Sequence, residues 1–452
     1  MLRLSAVQAR EDARRAAAHL ATAGVQRGQR IVIDPPREAT IGDAQQQQRA
    51  TMGVVWGALA SGIIPVPVNP DLTAHERDAI VRDADAALVL DSTRALMAAI
   101  EHPAQAELAD YPLGRPMHYT SGTTGRPKGV WAGVLDDARA RELWQYEIDL
   151  WQQSPDDLSL VHGPLSHSGP LRFALYTLLA GGDVLLPGWF DVDATVRALD
   201  EHRPTTAFTV PAHLQRLLTR PLPASPYRML VHAGSACPPS VKQGVHDWAG
   251  AANVWEFYGS TEGQFTVMPG TDWAEHPTSV GQSRSDRELR IIDGQVWCAP
   301  PPSGHFVYWN DEEKTRASWR KLDGQAWFTV GDLGRLDGGW LHLDGRREDL
   351  IISGGMNVYP AEVEGALCSY PGVIDAAVFG RPDDVWGQRV CAAVMGDVEP
   401  QAVESWVRER LAGYKRPKEL HIVTDLPRTA SGKIQRLRVA AALGLGDDPT
   451  ME

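Results

Sequence analysis

Tyr119-Thr-Ser-Gly-Thr-Thr-Gly-Arg-Pro-Lys-Gly129 decides how the rest of this chain is read. From Ser121 onward it offers nothing to fill a core. Gly122, Gly125 and Gly129 let the backbone turn its N–H groups inward as an anion-holding nest, and Ser121, Thr123 and Thr124 add hydroxyl donors. Lys128 supplies a mobile positive charge. Together these groups make a grip for a polyphosphate. The common nucleotide loop has a Ser or Thr after its lysine to hold magnesium, whereas here Gly129 follows Lys128. A plain surface turn would share the glycines, so the reading needs support elsewhere.

That support lies downstream. Tyr258-Gly-Ser-Thr-Glu-Gly263 follows the apolar run Val254-Trp-Glu-Phe257 and places Thr261 and Glu262 together. A carboxylate beside phosphate oxygens suits Mg²⁺, which makes Glu262 the candidate metal ligand and Thr261 the candidate partner of an α-phosphate. Then come Trp327-Phe-Thr-Val-Gly-Asp-Leu333, Gly345-Arg-Arg-Glu-Asp-Leu-Ile-Ile-Ser-Gly-Gly-Met-Asn357 and Pro427-Arg-Thr-Ala-Ser-Gly-Lys-Ile434. In this order the five blocks resemble the signature segments of the adenylate-forming superfamily of acyl- and aryl-CoA synthetases, peptide-synthetase adenylation domains and firefly luciferases. The resemblance runs from about residue 5 to about residue 440. His232-Ala-Gly-Ser-Ala-Cys-Pro238 leading into Glu256–Glu262 is most similar to fatty-acid and aryl-acid CoA ligases.

The resemblance implies an α/β fold. A large N-terminal lobe of layered α/β sheets with a β-hairpin subdomain (residues 1–345) is followed by a small, mobile α+β domain (residues 346–452). It implies ATP, Mg²⁺ and coenzyme A as the small molecules bound, with a carboxylic acid as the other substrate. By the same resemblance, Tyr258 packs on adenine opposite the backbone of Gly234, Ser235 and Ala236, and Gly259 helps shape the acid pocket. Asp332 accepts both ribose hydroxyls, a task for an ionised bidentate acceptor. Arg346 reaches ribose or phosphate from the domain junction, and His167 stands beside the acyl and thiol entry. Lys433 bridges the carboxylate and α-phosphate during adenylation, then leaves as the small domain rotates. Gly354 and Gly355 then approach the adenylate, where their missing side chains let a narrow pantetheine arm pass.

Composition bounds these expectations. A chain of 452 residues with 43% hydrophobic content supports two or three domains with sizeable cores. A net charge of −13 argues against nucleic acid or an anionic membrane as the main partner, though loops can be locally basic. Cys237, Cys298, Cys368 and Cys391 are scattered with no metal spacing, so reduced thiols and a cytoplasmic setting are expected. Neither a leader nor a membrane span is expected, and a homodimer is compatible with the resemblance. Short β-branched runs alternate with amphipathic stretches up to about Leu289, where Asp/Gly-punctuated hairpins begin. Ser5 reads as a helix cap, and Gln45–Gln48 as a solvated helix face.

Against the ligase reading stand adenylation with another acceptor (a carrier-protein thiol, an amine, or nitrite in a diazotisation) and a silent nucleotide-binding regulator. Luciferase-type oxidation has no distinguishing residues. Retention of Lys433, Glu262 and Asp332 argues against the regulator. Gly294-Gln-Val-Trp-Cys-Ala-Pro300 departs from the superfamily pattern, which resumes at Tyr308-Trp-Asn-Asp311.

Overall fold

A computed structural model describes residues 1–120, 128–346, 349–353, 356–383, 386–429 and 432–446. Its framework is a sheet whose middle is parallel. Leu158–Val161 lies between Asp183–Leu186 and Thr206–Thr209, and Met229–His232 and Val254–Glu256 continue the parallel run. Leu158–Val161, Thr206–Thr209 and Met229–His232 are buried at every position, as strands covered on both faces must be. Leu2–Leu4 closes one edge antiparallel to Asp183–Leu186. Beyond Val254–Glu256 every pairing is antiparallel, through Thr266–Pro269 and Gln282–Ser283 to Trp340–Arg346, Asp332–Asp337 and the hairpin Glu288–Ile292/Gln295–Ala299. Strand direction therefore changes at Thr266–Pro269, ahead of the hairpins expected from about Leu289, the first of which is Glu288–Ile292/Gln295–Ala299.

A smaller sheet places Arg30–Ile33 between Ile64–Pro67 and Leu88–Leu90, all parallel. The helices Ala6–Thr22 and Ile41–Ala60 pack closely because the first offers alanines and the second glycines. A Cβ on Gly57 would stand 2.4 Å from the Ala13 carbonyl oxygen. Ser5 caps the first helix, accepting from the Gln8 N–H. The glutamine run is not the solvated face its composition suggested. Gln47 donates to Thr93 and to the Pro36 carbonyl, and buried Gln48 accepts from the Gly188 N–H. Their amides tie the helix to neighbouring loops, a use that residue type alone does not reveal.

Lys128–Trp131 pairs with His118–Thr120 on one side and Val307–Tyr308 on the other. From Ile351 onward the chain builds a separate sheet: Ile351–Ser353, Met356–Val358, the long hairpin Val373–Asp383/Gly387–Gly396, and Glu419–Val423. The helices Pro360–Cys368 and Pro400–Arg410 cover one face, with Val363, Leu367, Val403 and Val407 on strand residues Val378, Val390, Ala392 and Val394. This core draws only on residues beyond 350. The four cysteines are free thiols. Among the described residues no helix is long and apolar enough to cross a membrane.

Candidate active site

In an open sheet with parallel strands, ligands bind in the crevice beyond the carboxyl ends of the strands. Here the chain leaves Leu158–Val161 toward His167, Met229–His232 toward Gly234–Ala236, and Val254–Glu256 toward Tyr258–Glu262. One edge of the sheet thus collects segments that are far apart in sequence.

Tyr258 stacks on Phe265 with ring centroids 4.8 Å apart, and its hydroxyl donates to a carboxylate oxygen of Asp332. Asp332 is buried and opens its strand directly opposite Arg346. Backbone register therefore brings the junction arginine's position beside the ribose candidate; the Arg346 side chain lies outside the described set. Between them a tight turn spans Gly259 to Gln264, closed by the Ser260 N–H donating to the Gly263 carbonyl at 2.7 Å. A Cβ on Gly259 would sit 2.8 Å from the Gln264 Cα, so only glycine fits there.

Glu262 stands on this turn, 7% exposed. The Tyr308 hydroxyl donates to its Oε1 at 2.7 Å, and no Lys or Arg side chain forms an ion pair with it among the described residues. A buried carboxylate without a cationic partner is costly, and it fits a site completed by a metal ion. No cluster of three or more His, Cys, Asp or Glu forms a metal cage among the described residues. Mg²⁺ takes one or two carboxylates plus phosphate oxygens, so the single Glu262 carboxylate is a donor of the right kind.

Ser121, Gly122, Thr123, Thr124 and Gly125 lie outside the described residues. Lys128 is described, and its ammonium pairs with Asp311 Oδ2 at 2.6 Å. That contact holds the Asp311 carboxyl below the usual carboxylate range. Upstream, the Tyr119 hydroxyl donates to Asp83 Oδ2 at 2.7 Å, and the Trp309 indole N–H donates to the Asp83 carbonyl. Sequence reading quoted Tyr308 and Asp311 only as a pattern match, without a role. Their partners here are Glu262 and Lys128, 46 and 183 residues away.

His167 precedes the helix Ser168–Leu179, and its side chain makes no capping bond. Its pKa is lowered to about 4, by burial first and by the charge of Lys433 second, with Asp71 opposing. The imidazole is neutral at pH 7, and Lys433 is near enough for its field to be felt. Two contacts bring that lysine's lobe in. A Cβ on Gly432 would lie 3.0 Å from the Ala212 Cβ, and the Gln215 amide donates to the Ile374 carbonyl at 3.1 Å. The Lys433 N–H donates to Thr429 Oγ1 and its carbonyl accepts from the Thr429 N–H. Gly234, Ser235 and Ala236 are exposed on the crevice side, with Gly234 at φ +99°. Gly354 and Gly355 lie outside the described residues, between the paired strands Ile351–Ser353 and Met356–Val358.

The crevice thus gathers a buried carboxylate held by the Tyr308 hydroxyl with no ion pair among the described residues, a buried aspartate, a neutral imidazole and a lysine from a separate lobe. Such a set suits polyphosphate binding and stabilisation of negative charge at phosphorus. The family described as AMP-binding enzyme matches residues 2–112 and 116–303, and that described as AMP-binding enzyme C-terminal domain matches 362–433. A feruloyl-CoA synthase from Amycolatopsis sp is 33% identical over 467 residues, covering 94% of this chain and 91% of that one. Across the first curated relatives the chain spans from 65% to 91% of their length. Among solved structures, the amide bond synthetase McbA from Marinactinospora thermotolerans superposes with a TM-score of 0.81 at 26% identity, over 96% of this chain and 94% of that one. The o-succinylbenzoate CoA synthetase of Bacillus subtilis, in complex with its acyl-adenylate, gives 0.77 at 26%, over 94% and 90%.

Proposed function

Because the chain belongs to the AMP-binding, adenylate-forming enzyme family, we propose that it is an ATP-dependent ligase that converts a carboxylic acid, aryl or medium-to-long acyl, into its acyl-AMP and passes the acyl group to coenzyme A. The observation that carries this reading is that the turn holding Lys433 packs against the large lobe, Gly432 on Ala212 and Gln215 on Ile374, beside the crevice that collects Glu262 and the Tyr258–Asp332 pair.

A carboxylate oxygen is a poor leaving group. Attack of that oxygen on the α-phosphorus of ATP expels diphosphate and leaves a mixed anhydride. Lys433 offers positive charge to the oxygens that gain negative charge in this step, with Thr261 beside them. Asp332, fixed by the Tyr258 hydroxyl, accepts the ribose hydroxyls, and Tyr258 flanks the base opposite Gly234–Ala236. Lys128, steered by Asp311, and the Ser121–Gly125 segment hold the outer phosphates. Glu262, oriented by Tyr308, would hold Mg²⁺, whose chemistry is to neutralise phosphate charge. The sulfur of coenzyme A then attacks the acyl carbonyl and AMP leaves. Neutral His167 lines the thiol's route and Gly354 and Gly355 serve this second stage, while Arg346 reaches ribose or phosphate from the junction. The division into residues 1–345 and 346–452 follows, with the second unit carrying Lys433.

Adenylation with an amine as acceptor is the second reading, favoured by the similarity to an amide bond synthetase. Diphosphate release over a broad set of acids, with and without coenzyme A, followed by mass analysis of products, separates the two. Release that needs coenzyme A and yields a thioester supports the ligase. Turnover that ignores coenzyme A supports the other acceptor, and no release with any acid ends both.

A further inference from the structure

Behind the Thr261–Glu262 turn lies a small cavity whose walls include Arg115, His118, Ser168, Arg172 and Thr261. The space open to the centre of a water-sized sphere is about 10 Å³, about one oxygen atom's worth. Two buried polar atoms on this wall have no partner among the described residues. Arg115 donates through Nη1 to the Glu262 carbonyl at 3.4 Å, while its buried Nη2 has no partner among the described residues. No carboxylate pairs with Arg115 among the described residues. His118 is 4% exposed, and its Nδ1 lies 2.9 Å from the Ser166 carbonyl. A carbonyl only accepts, so Nδ1 carries the hydrogen and Nε2 presents a lone pair. That Nε2 is also without a partner.

One donor and one acceptor thus remain open on a cavity with room for a single oxygen. A carboxylate oxygen would satisfy Arg115 but face the His118 lone pair. It could bond there only if the imidazole gained a proton, and burial holds that pKa down at about 3. A hydroxyl satisfies both groups with one atom. We infer that this cavity reads a hydroxyl group on the acid substrate, set close to its carboxyl group, with Arg115 donating to the oxygen and His118 Nε2 accepting its hydrogen. Closeness to the carboxyl follows from the shared wall with Thr261, which stands at the adenylation site. The inference rests on the ligase reading above.

The test takes each acid that supports diphosphate exchange and compares it with analogues bearing a hydroxyl or a carboxylate on the carbon next to the one carrying the carboxyl group. The hydroxylated member of each set should be preferred at least about tenfold in kcat/KM, since a site built to bond a hydroxyl leaves buried groups unpaired with its analogue. His118→Phe and Arg115→Met should each bring that ratio near one, with ATP affinity of His118→Phe as the control for folding. Equal rates for the plain and hydroxylated acids in the wild type would mean the cavity holds only an ordered water, and would overturn the inference. Preference for the dicarboxylate would overturn it in favour of an anion site, and an unchanged ratio in both variants would place the reader elsewhere. Exchange with no acid of any kind is a different failure: it removes the ligase reading, and this inference with it.

Discussion

Glu147→Gln should destabilise the large lobe by about 3–5 kcal/mol, the cost of stranding buried arginines. Glu147 lies on the helix Asp137–Leu150, 2% exposed. Its Oε1 accepts from Arg284 Nη2 at 2.9 Å and from Arg172 Nη2 at 3.4 Å, and its Oε2 accepts from the Trp151 indole at 3.3 Å. The Arg284 side chain is wholly buried, and it also donates to Gln264 on the Gly259–Gln264 turn. Desolvation works against ionised Glu147, but Arg284 and then Arg172 outweigh it, bringing its pKa from 4.5 to about 2. At about 1.36 kcal/mol per pH unit, that gap is worth about 3 kcal/mol, in line with the range above. A folded pKa below the unfolded one gives stability that is fully present above pH 4.5 and lost as pH falls toward about 2. Guanidinium unfolding followed by tryptophan fluorescence reads this directly, because Trp144 and Trp151 are buried on and beside that helix. The wild type should weaken between pH 4.5 and pH 2 by an increment that the glutamine variant lacks. Equal midpoints at pH 7, or parallel acid profiles for the two proteins, would refute the claim that this carboxylate neutralises the arginines beneath the site.

Lys433→Ala should lower acid-dependent diphosphate exchange on the order of 10²–10³-fold, while calorimetric ATP binding stays close to wild type. In the same variant the His167 NMR titration should move up from about 4 yet remain below 6.5, since burial, the larger cause, persists. An unmoved titration would place the lysine too far away to act. Tyr308→Phe removes a hydrogen bond to a charged group, worth about 1.5–3 kcal/mol, and should raise the Mg²⁺ concentration needed for half-maximal ATP binding at least tenfold. Titrating metal against fluorescent ATP analogue binding checks it, and an unshifted midpoint would free Glu262 from that orienting role. Gly355→Leu should leave acyl-AMP formation intact and stop thioester formation. Equal loss of both half-reactions would count against a pantetheine passage there.

What the sequence disclosed, and what it hid, divides along one physical line. Family membership was legible, because its chemistry is concentrated in short stretches: the loop ending at Lys128, the Tyr258–Gly263 turn, Asp332 after Gly331, and Lys433 in its Ser/Gly turn. The buried parallel strands were legible too, because continuous apolar runs have few other uses. The hairpin Val373–Asp383/Gly387–Gly396 runs well past the apolar segments Ala376–Phe379 and Val390–Val394, since pairing continues through Arg381 and Arg389, which share Glu419. Asp311, Tyr308, Arg115, His118 and the Glu147–Arg172–Arg284 group were hidden for a different reason. Each is an ordinary residue in its own neighbourhood and acquires meaning only from a partner that folding brings across the chain. The glutamine run erred in the same way, since its amides face loops that composition cannot locate.

The rung that joins Asp332 to Arg346 has a mechanical corollary. The strand opening at Asp332, proposed to seat the sugar, and the strand ending at Arg346, which leads toward the terminal unit, are neighbours at that rung, so on the proposed reading a tug on the nucleotide would pass without relay to the junction. On the proposed mechanism, loading and emptying the pocket would then be geared to movement of the unit that carries Lys433, and a substitution that loosens this rung should unsynchronise the two half-reactions before it slows either one.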